Sequence, residues 1–289
     1  MRVLTIGATG QFAGHVVPAL VRQGLQVRAL VHDPDKAAKL ADTGVSETAA
    51  GDLRDADSMS AALYGVDGLF LVIPAFAPDT AGLGTSMVAA AKAAGVRRVV
   101  FSGVYHPSLS LVNHAATRPI EEALYNSGLE FTVLQPAMFM QGLSGGWASA
   151  VRDGVFAMPY SKDSAMTFVD YRDVAEVAAI AFASDRLVNG TFELAAGGMI
   201  SRTELASLMS RHAGRDVAAV DLEPDVALSG MPAGPMREGL EAMFDAYTRH
   251  GFHGGNNLVL TSILGHPPRT LDDFFAELAA PASDPESQQ

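Results

Sequence analysis

The chain has no cysteine, which excludes disulfides, thiolate nucleophiles and cysteine-ligated metals. Bases are scarce too: 20 Lys and Arg stand against 32 Asp and Glu, a formal charge of −12. That balance argues against a nucleic-acid partner. No apolar run reaches the roughly 18 residues that a membrane span needs, so no membrane partner is expected. Strand-like sequence starts at Val3 and leaves no room for a signal peptide, which points to the cytoplasm. His250-Gly251-Phe252-His253 has two histidines without a carboxylate at ligand spacing, so no metal site is expected. Ser102-Gly103 and Ser144-Gly145-Gly146 lack the Gly-x-Ser-x-Gly elbow of hydrolases.

Apolar residues, in contrast, make up 48% of the 289 residues, ample for a core. The length fits a large nucleotide domain plus a smaller one.

The most informative stretch is Val3-Leu4-Thr5-Ile6 running into Gly7-Ala8-Thr9-Gly10-Gln11-Phe12-Ala13-Gly14. A short buried strand that turns through glycines into a helix aims unpaired N–H groups and the positive helix end at one point, a pocket for a diphosphate. Gly7 permits the turn, Gly10 lets the backbone approach the phosphates, and Ala13 with Gly14 keeps the helix close to the sheet. The loop lacks the Gly-Lys-Ser/Thr ending of a nucleoside-triphosphate site.

Beyond it two periods alternate. Segments 26–31, 68–73, 97–101 and 129–134 are short, apolar and rich in β-branched or aromatic residues, as strands buried on both faces are. Helical segments fall at about 12–22, 34–42, 56–64, 82–94 and 116–126 and stop at Gly24, Gly44, Gly65, Gly95 and Gly128. Asp33 and Asp55 are expected N-caps, while Pro18 should bend the first helix. This alternation predicts an α/β fold, a doubly wound parallel sheet of Rossmann type. Residues 1–137 would form the NAD(P)-binding domain, with 165–195 returning to it; 138–280 would form a smaller C-terminal α/β cap, and 281–289 a flexible tail.

The second strand's end bears on the cofactor. Arg28, His32 and Lys36 favour a 2′-phosphate, hence NADP(H) over NAD(H); Asp33 points the other way unless it only caps the helix at Pro34. Asp52 and Leu53, after the third strand, would face the adenine edge, although Asp52 also suits a plain turn. Ile73-Pro74 would pass the ribose.

Several stretches resemble the NmrA-like branch of the atypical short-chain dehydrogenase/reductase superfamily, including its quinone-reductase-like members. They are Gly7-Ala8-Thr9-Gly10, Arg28 to Pro34, Ala91 to Arg98, Gln135-Pro136-Ala137-Met138-Phe139, Asp170 to Ala178 and Thr270 to Phe274. The resemblance implies either a working reductase or an NADP-sensing regulator. Many relatives carry arginine where His32 stands. The superfamily's Tyr-x-x-x-Lys is absent: alignment on Glu121-Glu122 puts His114 and Arg118 in its place.

A nicotinamide reductase must orient its cofactor, exclude water and supply a proton. His114 is one donor candidate, its ordinary pKa of ~6.5 lying near working pH; the alternative is a loop histidine in solvent. Arg118 cannot act as an acid but could hold a ribose hydroxyl or carboxamide. Ser102 falls at the superfamily's catalytic serine. Tyr105 is a second donor candidate, or a buried phenol capping a strand. Pro136 would free backbone groups to orient the carboxamide. Phe139, Met140 and Trp147, with Phe156 and Met158, would line an apolar substrate pocket or belong to the core. The resulting expectation is an NADPH-dependent oxidoreductase that passes hydride to a small carbonyl or quinone. The alternative is a non-catalytic redox sensor acting through a protein partner, and a homodimer is a further expected partner state.

Overall fold

The computed structural model describes residues 1–280, so the expected tail 281–289 lies outside the described residues. The first half supplies β1 (Arg2–Thr5), β2 (Gln26–Val31), β3 (Glu47–Ala50), β4 (Gly68–Leu71), β5 (Arg98–Ser102) and β6 (Glu130–Pro136). The second half adds β7 (Met138–Phe139), β8 (Val155–Met158), β9 (Ala165–Met166), β10 (Phe168–Val169), β11 (Gly190–Leu194), β12 (Ile200–Ser201) and β13 (Ala218–Asp221). The seven-stranded sheet runs β11-β6-β5-β4-β1-β2-β3, and every pairing in it is parallel. The winding reverses between β1 and β4, which opens a crevice beyond the strands' carboxyl ends.

Alternation along each strand divides the apolar residues between two cores. Val3, Ala29, Val100 and Leu134 face helices Val16–Arg22 and Tyr171–Ala183. Leu4, Leu30, Val99 and Val133 face helices Ala56–Leu63, Thr80–Ala93 and Arg118–Tyr125. The first core continues into the second half, taking in Trp147, Phe156, Leu205 and Phe275. Arg98, 1% exposed, fastens helix Tyr171–Ala183 to the sheet by donating to the Ala181 and Ser184 carbonyls and pairing with Glu130 and Asp185.

Local signals explain most boundaries. Asp33 accepts from the Asp35 amide and Asp55 from those of Asp57 and Ser58, so both are N-caps. The segment after Asp33 is a 3₁₀ helix, Pro34–Leu40. The first helix opens as a 3₁₀ turn, Ala13–His15, and becomes α-helical only at Val16. Pro18 therefore sits in the first α-turn, where its missing N–H costs little, and the expected bend is unnecessary. Residues 165–169 form two short strands with different partners: β9 pairs antiparallel with β12, and β10 pairs parallel with β7. Thr167, between them, donates its amide to Phe252 instead. Among the described residues no helix is long and apolar enough to cross a membrane.

Candidate active site

A cavity of about 790 Å³ fills the crevice and reaches from β2 and β3 across to β5, β6 and the segment around Tyr247 and Phe252. It begins at the glycine turn. Gly7 has φ +78°, a conformation that glycine adopts without strain. The Gly10 amide closes the turn onto the Gly7 carbonyl at 2.9 Å. A Cβ at Gly10 would stand 3.1 Å from that carbonyl, so the backbone surface here is open because no side chain covers it. Among the described residues the Thr9, Gln11 and Phe12 amides meet no acceptor in the protein. These donors, in a loop without a carboxylate, fit an anionic group. The Gln11 side chain donates to the Gln141 carbonyl at 3.0 Å, and Gln141 in turn bonds Asp170 and the Tyr171 amide. The turn is thus braced by the second half of the chain.

On the β2–β3 side the wall holds Leu30, His32, Asp52, Leu53 and Arg54. The His32 side chain is 77% exposed and lies 3.8 Å from the Asp52 carboxylate. Two expected cofactor ligands are misplaced. Arg28 is off the cavity wall, because its guanidinium pairs with Glu47 at 2.9 Å and donates to the Ala62 and Tyr64 carbonyls at 2.7 Å. Lys36 is exposed on the 3₁₀ helix and does not reach the cavity either. Arg54, which sequence reasoning missed, supplies a cation there instead. Its backbone-level signal, an Asp-x-Arg turn after the third strand, was visible in Asp52-Leu53-Arg54.

Val72, Ile73 and Pro74 form the middle of the wall, as expected of Ile73 and Pro74. Beyond them the cavity is mostly apolar, with Val104, Met138, Phe139, Tyr247 and Phe252 around it. Ser102, His114 and Pro136 also line this part, together with Asn113, Thr117 and Tyr171. The Ser102 hydroxyl is 3.1 Å from the Tyr171 phenol, which burial pushes up to about 12. His114 is buried, and its Nδ1 faces the His106 carbonyl at 3.1 Å, so Nδ1 carries the proton. Burial lowers its pKa, partly offset by the His106 and Tyr105 carbonyls. Neutral His114 therefore offers Nε2 as an acceptor, and a role as proton donor at rest does not fit.

Other expected residues lie elsewhere. Tyr105 is buried behind the wall against His106 and Phe252, and burial raises its phenol. Arg118 starts its helix with the guanidinium turned to the Leu109 carbonyl at 3.4 Å. Met140 and Trp147 are core residues: Trp147 stacks on Phe275 at 5.6 Å, away from the cavity. Phe156 and Met158 sit on β8 outside the cavity as well. Of the aromatic stripe, Phe139 alone reaches it. Helical spacing could not separate Phe139 from Met140, because the chain turns there from β7 into a 3₁₀ segment.

Comparison with known proteins finds relatives along nearly the whole chain. Residues 1–275 match the model of the NmrA-like family. The chain is 32% identical to the NAD(P)H azoreductase of Xenophilus azovorans over 96% of its own length and 98% of that protein's. It is 28% identical to quinone oxidoreductase 2 of Escherichia coli (strain K12), covering 94% of this chain and 96% of that one. The crystal structure of the Escherichia coli NADPH-dependent quinone oxidoreductase complexed with NADPH superposes with a TM-score of 0.81. There the identity is 26%, with 96% of this chain and 99% of that chain covered.

Proposed function

The chain belongs to the NmrA-like family, and from that premise we propose that it is an NAD(P)H-dependent oxidoreductase acting on a small quinone or other conjugated carbonyl. The observation that carries the reading is the continuity of one cavity, from the unpaired amides of the glycine turn to an apolar chamber holding Ser102 and His114. The cofactor, when bound, supplies the hydride.

The chain's own residues do the rest. Thr9, Gln11 and Phe12 hold the diphosphate through backbone N–H groups, while Gly7 and Gly10 shape the turn and keep it clear of side chains. Asp52, Leu53, Ile73 and Pro74 border the adenosine half, and Arg54 favours NADP(H) by offering a cation to a 2′-phosphate, with the His32 ring beside it as a further hydrogen-bonding group. In the chamber, Val104, Phe139, Tyr247 and Phe252 exclude water, which strengthens each remaining polar contact. Ser102 donates a hydrogen bond and His114 Nε2 accepts one. The reduced product takes its proton from solvent as it leaves the chamber, because Tyr105 and Arg118 lie off the cavity and neutral His114 has no proton to give at Nε2. Segment 138–280, apart from the returning strand β11 and its helix, acts as the cap.

The test is a calorimetric titration with NADPH, NADP⁺, NADH and NAD⁺, followed by NADPH oxidation with a panel of quinones. Tighter binding of the phosphorylated pair and quinone-dependent oxidation are expected. Binding without turnover on any acceptor would favour a sensor, and no binding at all would overturn the reading.

A further inference from the structure

Tyr171 and Ser102 form an isolated polar pair in an apolar wall. Both are buried, 1% and 3% exposed, and both line the cavity. Their oxygens are 3.1 Å apart, and among the described residues neither hydroxyl has another protein partner. One bond between two hydroxyls uses one proton, leaving the other proton free. A phenol is the stronger acid of the two, so it donates and the serine oxygen accepts. The Ser102 proton then has no acceptor in the protein and can be satisfied only from the cavity.

The pair is held rigidly. The Tyr171 ring packs at 82° against Phe139, with centroids 4.7 Å apart, and lies 6.1 Å from Phe12. Its backbone amide is fixed by Gln141 at 2.9 Å. Ser102 ends β5, where the parallel pairing with β6 sets its backbone.

We propose that Tyr171 is a positioning residue. By donating to Ser102 it turns the serine proton toward the acceptor molecule, where that proton meets the oxygen on which negative charge builds as hydride arrives. Preorganised donors of this kind act on the transition state more than on binding. The inference rests on the reductase reading.

The test is a double-mutant cycle with Tyr171→Phe, Ser102→Ala and the pair together, read in kcat, KM and NADPH affinity. Tyr171→Phe keeps the ring and its packing. It should lower kcat about three- to tenfold, and Ser102→Ala about tenfold or more. The double variant should match Ser102→Ala within about twofold, with NADPH affinity unchanged in all three, because Tyr171 acts only through Ser102. Multiplying losses would overturn the proposal, as would equal losses in affinity and kcat. Should Tyr171→Phe fail to fold, Ser102→Thr and Ser102→Val decide: the hydroxyl of threonine should keep most of kcat and valine should not, and equal losses would refute donation by Ser102. If the unaltered protein oxidises no NADPH while NADPH still raises its melting temperature, the reductase reading fails. Turnover with an additive cycle sinks this inference alone.

Discussion

The backbone amide of Arg54 donates to the Asp52 carboxylate at 2.9 Å, and this short turn sets Arg54 on the β2–β3 side of the cavity wall. Arg28, on the strand where a phosphate-binding base is usually sought, is paired with Glu47 and two carbonyls. Arg54→Ala should therefore weaken NADPH binding about fivefold, a charge-assisted contact discounted for exposure, and leave NADH affinity unchanged. Arg28→Ala should change neither affinity while lowering the melting temperature. Calorimetry on both variants checks this, and a larger NADPH loss from Arg28→Ala would reverse the assignment.

Gly10→Val tests the phosphate turn. A Cβ there already meets the Gly7 carbonyl at 3.1 Å, and valine adds two further methyls to a turn whose Gln11 and Phe12 amides are unpaired. Binding of NADPH and NADH should fall together, more than about a hundredfold, with little loss of helix content by circular dichroism. Retained affinity would move the diphosphate elsewhere.

Sequence reasoning located the sheet, the turn and most of the crevice because those depend on local signals. Gly7 and Gly10 sit where a strand must become a helix, Ser102 and Pro136 each end a strand of the sheet, and Ile73 and Pro74 follow directly beyond β4. What it missed depends on partners distant in sequence. Arg28 is withdrawn by Glu47 and by the end of the Ala56–Leu63 helix, and Tyr105 is covered by Phe252. Tyr171 follows the Asp170 N-cap and reads as an ordinary helix start; its pairing with Ser102 spans 69 positions.

His114 gives stability a pH dependence whose sign follows from burial. In the unfolded chain it takes up a proton near pH 6.5, whereas burial lowers that value in the fold. Below about pH 6.5 the unfolded chain thus binds more protons, and stability falls with pH until the folded group also titrates. His15, lowered chiefly by burial, adds to the same slope. Denaturant unfolding between pH 7 and 5 should show declining stability, and His114→Phe should flatten part of that decline. An unchanged slope in His114→Phe would mean that the ring takes up its proton equally in the folded and unfolded chain.

Trp147 separates core from cavity. The residue is 8% exposed, and its indole packs on Phe275 outside the cavity lining. Saturating NADP⁺, which does not absorb where tryptophan emits, should leave its emission maximum in place. Trp147→Ala should cost about 3–5 kcal/mol of unfolding free energy, the usual price of emptying a large aromatic site, while the folded fraction keeps its NADPH affinity. A substrate-pocket residue would behave in the opposite way, with an emission shift on ligand binding and a change in KM at nearly constant stability. Paired fluorescence titration and urea unfolding therefore tell the two placements apart, and the stacking on Phe275 predicts the first.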